Sequence, residues 1–305
     1  MKILVVLLTL LLPFCLPAQL SMHSRGAAMG DAGIAAAKGN QLLGTNVGKT
    51  VFSSYFHQAS FSYLPWMRSL FQDTKFIRAD YLSTIGETAT LGVSINYLDL
   101  GNLTTRDDNG ASLAIYRNTA FGIGASTGVR LSEHAGIGTT LRFSGARDFT
   151  SGPTQRYGVN ADLHFYQSFG KFSLGAVLNH LGNAVWQTTE MGLGIAYSDY
   201  DDTKEWTIGL DVKKPWKGSL VTTRYSLGGE LGLQESFFIR TGVQLEGLLG
   251  GNRQWVALGA GYKGFVADQS WSIDLHYQIP FAAKAMIAPL QHAYGLSLNL
   301  SLGNY

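Results

Sequence analysis

Lys204-Glu205-Trp206-Thr207-Ile208-Gly209-Leu210-Asp211-Val212-Lys213 is followed by the connection 214–224, then by Tyr225-Ser226-Leu227-Gly228-Gly229-Glu230-Leu231-Gly232-Leu233. Only Gln234-Glu235 then separates this second run from a third over 236–246. In the first run Trp206, Ile208, Leu210 and Val212 alternate with Thr207, Gly209, Asp211 and Lys213. Successive side chains of a strand point to opposite faces, so each run has one apolar face and one polar or small face. A soluble sandwich alternates in the same way. What separates the two folds is the order of connections, here one long and one tight.

Working outward, the same pattern extends in both directions. Leu91, Val93, Ile95 and Tyr97 alternate with Gly92, Ser94 and Asn96; Trp271, Ile273, Leu275, Tyr277 and Ile279 alternate with Ser272, Asp274, His276 and Gln278. The last run sets Tyr294, Leu296, Leu298, Leu300 and Leu302 against Gly295, Ser297, Asn299 and Ser301. The reading gives about fourteen strands, with even-numbered connections as tight as Ser132-Glu133 and Phe169-Gly170 and odd-numbered ones as long as 100–118, 147–156 and 280–291. Strict short/long parity over an even strand number is the plan of an outer-membrane barrel, with short turns in the periplasm and long loops outside. A Greek-key sandwich has no reason to produce it. In lipid every backbone polar group must be paired within the protein, so a spanning sheet has to close. The expected fold is therefore all-β, an antiparallel transmembrane β-barrel of about fourteen strands in the bilayer of the bacterial outer membrane.

Composition agrees. Of 305 residues 46% are hydrophobic, only 14% are charged, and 37 are glycine. A chain so apolar is not disordered. A net charge of +2 without a Lys/Arg block excludes a nucleic-acid partner. No run after the N-terminus reaches the ~18 unbroken apolar residues of a spanning helix. Trp206, Trp255, Trp271, Tyr197, Tyr225, Tyr262, Tyr277 and Tyr294 fall toward strand ends and are expected in interfacial girdles. Inward positions are rich in glycine (Gly122, Gly124, Gly136, Gly138, Gly192, Gly194, Gly259, Gly261), which makes room for a plug.

The N-terminus divides the chain. Lys2, the apolar run Ile3–Leu12 and Leu16-Pro17-Ala18 predict a secretory signal over 1–18, cut after Ala18. Cys15 is the only cysteine, and Phe14 before it argues against a lipid anchor. Residues 19–55 include the small, weakly charged stretch Ser24–Ala37 and are expected to form a plug-like segment; 56–305 form the barrel.

No catalytic constellation is legible. The seven histidines have no HxH or HExxH spacing, and the glycines of 122–128 miss the GxGxxG pattern inside a strand. His164 and His276 fall on inward faces, where a hydrogen-bonded lumen role outweighs metal binding. Asp107-Asp108-Asn109-Gly110 and Asp199-Tyr200-Asp201-Asp202 lack EF-hand spacing and read as turns. Lumen charges such as Arg130, Arg142, Asp162, Asp211, Arg240, Glu246 and Asp274 read as an interior polar network. The expectation is no enzyme, no metal and no cofactor.

Several stretches resemble a known family. Arg25-Gly26-Ala27-Ala28-Met29-Gly30-Asp31-Ala32-Gly33-Ile34-Ala35 resembles the N-terminal motif of FadL-like outer-membrane channels. Ser62-Tyr63-Leu64-Pro65-Trp66-Met67-Arg68-Ser69-Leu70-Phe71-Gln72-Asp73 resembles the Y-x-P-W-L-R-x-L-x-x-D stretch of the PorV family of the type IX secretion system. Asn96–Gly101, Leu131–His134, Leu174–Gly182, Asn252-Arg253 and Leu258–Tyr262 resemble further PorV segments, while Asn46-Val47-Gly48 stands where the family commonly has Asn-Pro-Ala. The resemblance implies a fourteen-stranded FadL-like barrel that binds the C-terminal signal domain of secreted cargo. Such a barrel passes cargo from an outer-membrane translocon to a surface attachment complex. The alternative class is a FadL-like channel for small hydrophobic compounds. Leu64, Pro65, Trp66, Met67 and Arg68, expected in the first outer loop, are the candidate partner-binding residues: an exposed Trp, Leu and Met beside one Arg has the composition of an interface hot spot.

Overall fold

The computed structural model describes residues 23–36, 41–65, 74–106, 112–147, 155–183, 185, 187–201, 203–217, 222–246, 254–267, 269–281 and 292–304. The first seven strands are β1 (Tyr55–Leu64), β2 (Lys75–Ile85), β3 (Ala89–Arg106), β4 (Ser112–Arg130), β5 (Ala135–Arg147), β6 (Gln155–Phe169) and β7 (Phe172–Gly182). The second seven are β8 (Glu190–Tyr200), β9 (Lys204–Pro215), β10 (Arg224–Leu233), β11 (Phe237–Glu246), β12 (Trp255–Val266), β13 (Gln269–Pro280) and β14 (Ala293–Asn304). Each pairs antiparallel with its chain neighbours, and β1 pairs with β14 to close the barrel. Closure leaves no sheet edge, the condition that lipid imposes.

Register follows the alternation. Phe61 faces Leu298 across the closing seam and Ile273 faces Leu298 on the other side, all three exposed on the outer surface. Asp274 is buried inside, and Asn299 Nδ2 reaches it at 3.0 Å from the lumen face of β14. Aromatic clusters mark both rims of the apolar band. Toward the short turns Tyr197 packs on Phe172 (5.0 Å) and Trp206 (4.9 Å), and Tyr262 on Phe237 (5.1 Å) and Trp271 (5.5 Å). Toward the long connections Phe121, Phe143 and Tyr157 form a third cluster.

Two expectations are corrected. Trp255 is not in a girdle: it is 2% exposed and points into the lumen, on the same face of β12 as Gly259 and Gly261. Most of 100–118 is strand rather than loop, because β3 and β4 continue past the barrel rim as a paired ribbon. A bulge between Asp99 and Asn102 marks the departure. There Gly101 takes a φ of 75°, where a Cβ is disfavoured, and its N–H donates to Asp99 Oδ1 at 3.0 Å. Arg117, across the ribbon, pairs with the same carboxylate.

Candidate functional site

The lumen is filled by the N-terminal segment. Its first element, α1 (Ser24–Ala28), is one turn and a half in which every residue but Arg25 is small. It ends because Gly30 adopts a φ of 64°: Asp31 N donates to Gly26 O (2.9 Å) and Gly30 N to Ala27 O (3.2 Å), the pair of bonds of a Schellman C-cap. The spacing of Gly26, Gly30 and Asp31 is thus a helix stop. A second short turn, α2 (Leu42–Thr45), leads into a 3-10 helix (Val47–Phe52), which Asn46 caps by accepting from Gly48 N at 3.1 Å.

Close approach explains the inward glycines. Ala28 lies over Gly259, Met29 over Gly228 and Gly242, Ile34 over Gly175, Gly192 and Gly194, and Leu43 over Gly92. At Gly136 an added Cβ would stand 2.2 Å from Gly48 O, so plug and wall meet backbone to backbone. Gly48, where the resembled family commonly has alanine, is required by this contact in the present chain: a Cβ there would stand 2.8 Å from Gly136 O.

Buried charge fixes the plug in place. Arg25 Nε donates to Glu230 Oε2 at 2.6 Å and its terminal nitrogen to Glu230 Oε1 at 2.9 Å. Arg240 Nε reaches the same Oε2 at 2.6 Å and continues to Asp274 Oδ1 at 2.6 Å. Two guanidiniums and two carboxylates alternate, so the chain of charges is neutral. Its remaining Arg25 donors hold Ala36 O and Gln41 Oε1 (3.3 Å each), tying the plug to itself. Asp31 pairs with Lys213 at 3.2 Å. Asp211 Oδ2 accepts from Gly33 N (2.7 Å) and Ile34 N (2.9 Å). His23 sits 3.1 Å from Asp80, which also pairs with Arg78. Lower in the barrel, Val47 N donates to His164 Nδ1 (2.9 Å), and Asn46 Nδ2 donates to Ile34 O and Phe165 O. The predicted lumen charges thus face inward, and His164 has the expected hydrogen-bonded role.

Sequence reading did not single out Arg25, Glu230, Lys213 or Asn46 for these contacts. Arg25 and Glu230 are 205 positions apart, so only the closed barrel brings them together. Around the lumen at the long-loop end runs an apolar collar: Leu64, Phe76, Leu98, Ala120, Ala146 and Trp255, with Val185 packed against it.

Leu64 therefore differs from its expected place. It is the last residue of β1, on the inward face it shares with Ser60 and Ser62, and it is buried in the collar rather than exposed in a loop. Pro65 is buried too. Trp66, Met67 and Arg68 lie outside the described residues, as do the predicted signal segment with Cys15 and Asp107 to Gly110. Asp201 caps the β8–β9 turn by accepting from Thr203 N and Lys204 N, which hold its carboxyl below the usual range.

Comparison with solved structures places this architecture. The toluene transporter TbuX of Ralstonia pickettii superposes with a TM-score of 0.63 at 9% identity, covering 96% of this chain and 100% of that one. TodX, the toluene transporter of Pseudomonas putida, gives 0.65 at 10% identity over 93% and 98%. The monoaromatic hydrocarbon channel CymD gives 0.65 at 12% identity over 93% and 98%. At such identities the likeness is one of fold, the FadL-like barrel with an N-terminal plug. No curated protein matches in sequence. The model of the type IX secretion system protein PorV matches residues 6–171, more than half of the chain. Barrel and family both support an outer-membrane location, and by that match the chain belongs to the PorV family.

Proposed function

We propose that this barrel is an outer-membrane component of type IX secretion that binds secreted cargo through its C-terminal signal domain and passes it from translocon to attachment complex, without catalysing a reaction. The family match supplies the system. The observation that supports a binding rather than a conducting role is the lumen itself. It is occupied by a plug that Glu230, Lys213, Asp211 and Asp80 hold, and its middle is lined by buried charges rather than a continuous apolar path. Moving a hydrocarbon through it would require breaking buried ion pairs, each costing ~3–5 kcal/mol when one partner is lost.

Partner contact then falls to the long-loop end, and Trp66, Met67 and Arg68 remain the proposed docking residues, with Leu64 in the collar and buried Pro65 beside it anchoring their base. The test is co-purification from mild detergent. Secreted proteins with C-terminal signal domains should accompany the native protein, and Trp66→Ala should leave the barrel folded while weakening capture by ~2 kcal/mol or more, the hot-spot scale. Full recovery with Trp66→Ala would move recognition to other outer loops. The channel reading is favoured by one feature, the apolar collar at the outer mouth. Uptake of toluene by liposomes containing the pure protein would support it instead.

A further inference from the structure

The outer wall is uneven at β7 and β8. β6 runs on to Gln155, whereas β7 pairs with it only from Asn160 opposite Gly182, and β7 and β8 pair only as far as Asn179 and Glu190. Above β7 the chain turns inward: Asn183 N donates to Val159 O, and Val185 packs against the collar inside. Below this lowered rim the lipid-facing row reads Phe165, Ala176, Leu193, Val212 across four strands. Ala176 is a gap between large side chains, and it opens a groove of about 570 Å³, within the range of roughly 300–1,000 Å³ typical of ligand sites. Leu163, Leu178, Met191 and Leu193 wall it, and Lys214 and Trp216 stand at its upper end.

We infer that this groove binds one phospholipid with a net anionic head, in the leaflet nearest the long loops, with an acyl chain over Ala176 and its headgroup on Lys214 and Lys217. Width and charge argue for it. The backbones flanking Ala176 are two strand spacings apart, about 10 Å, and Phe165 and Leu193 narrow that space further. A helix with its side chains is about 10–12 Å across and does not fit, whereas a single hydrocarbon chain does. The closed sheet offers no free backbone groups to an extended peptide. On β9 the outward positions change from Ile208, Leu210 and Val212 to Lys214, with Trp216 just past the strand, so an apolar stretch gives way to a cationic and interfacial end. Neither Lys214 nor Lys217 has a carboxylate partner among the described residues, in contrast to Lys213 on the inward face. One uncompensated ammonium group at the end of the apolar groove, and a second in the exposed turn that follows it, select an anionic head.

The experiment is native mass spectrometry of the delipidated, detergent-purified protein titrated with dioleoylphosphatidylglycerol or dioleoylphosphatidylcholine, which share their chains. The wild type should retain the anionic lipid about tenfold better, the scale of cationic residues at a membrane surface. Lys214→Gln with Lys217→Gln should abolish that preference. Ala176→Trp should remove binding of both lipids, while Ala260→Trp, an outward position on β12, should not; heat-modifiable mobility verifies that each variant is folded. Equal retention of the two lipids by the wild type overturns the inference. So does undiminished binding by Ala176→Trp, or a photoreactive residue at 176 that captures a polypeptide in cells instead of lipid.

Discussion

Glu230 is the residue on which the plug depends most. Its carboxylate receives Arg25 from the plug and Arg240 from the wall, and all three side chains are buried. Removing it leaves two guanidiniums in a low-dielectric interior, and breaking one side of a buried pair costs ~3–5 kcal/mol. Glu230→Ala should therefore lower the urea midpoint of the refolded barrel by an amount equivalent to ~3–5 kcal/mol. Adding Arg25→Ala should restore part of the loss, because Arg240 keeps Asp274 and no uncompensated charge remains. A double variant as unstable as the sum of the singles would show that the two residues act independently. On the outer face the same scale tests the register. Leu298→Arg places a cation in lipid at a cost of roughly 2–4 kcal/mol, whereas Asn299→Arg faces the lumen beside Asp274 and should cost much less. Equal loss of heat-modifiable folded barrel from the two would mean that β14 is out by one residue, since a slip exchanges its faces.

Strands were legible wherever lipid lies on one side of them, because lipid imposes an apolar residue at every second position. Where that constraint ends the signal ends as well. The ribbon formed by β3 and β4 beyond Gly101 pairs only with itself, has no lipid face, and reads as polar loop in the sequence although its backbone is extended. Trp255 shows the opposite error: residue type suggested a girdle, while its parity with Ala257, Gly259 and Gly261 already put it inside. Leu64 likewise keeps the parity of Ser60 and Ser62. Composition suggested the plug, whereas the helix stop at Gly30 was not read from the sequence. His164 was expected to be hydrogen-bonded in the lumen, but which plug groups it, Glu230 and Lys213 meet was not legible, because that is set by which strands lie opposite one another in the closed barrel. Turns carry their own test. Gln234 and Glu235 both hold positive φ (52° and 56°) in the β10–β11 turn, closed by Ser236 N donating to Leu233 O at 3.1 Å. Residues with a Cβ lose roughly 1–2 kcal/mol each in that region, and Asn-Gly is the pair such hairpins favour. Gln234→Asn with Glu235→Gly should therefore raise thermal stability by ~1 kcal/mol without altering the barrel, measured by the melting of its far-ultraviolet dichroism; destabilisation would argue against the left-handed pair.

For the whole molecule, one asymmetry links fold to function. The short-turn end is closed by turns as tight as Gly86 and Gly170, both at positive φ, and by the 3-10 helix of the plug, which Arg130 holds through Val51 O at 2.6 Å. All longer connections, the β3–β4 ribbon and the apolar collar belong to the other end. A molecule that binds partners at one end only must present that end to them, so orientation in the membrane decides the proposed role. Outer-membrane barrels direct short turns to the periplasm, so the connections that follow β1, β3 and β13 are expected outside the cell. Single cysteines replace Asn109 and Gly170 in separate variants, each of which also carries Cys15→Ser. An impermeant thiol reagent applied to intact cells should label the first and spare the second, and both should react once the outer membrane is opened. Labelling at position 170 alone in intact cells would turn the barrel over, move the collar to the periplasm and remove the basis for cargo capture at the cell surface.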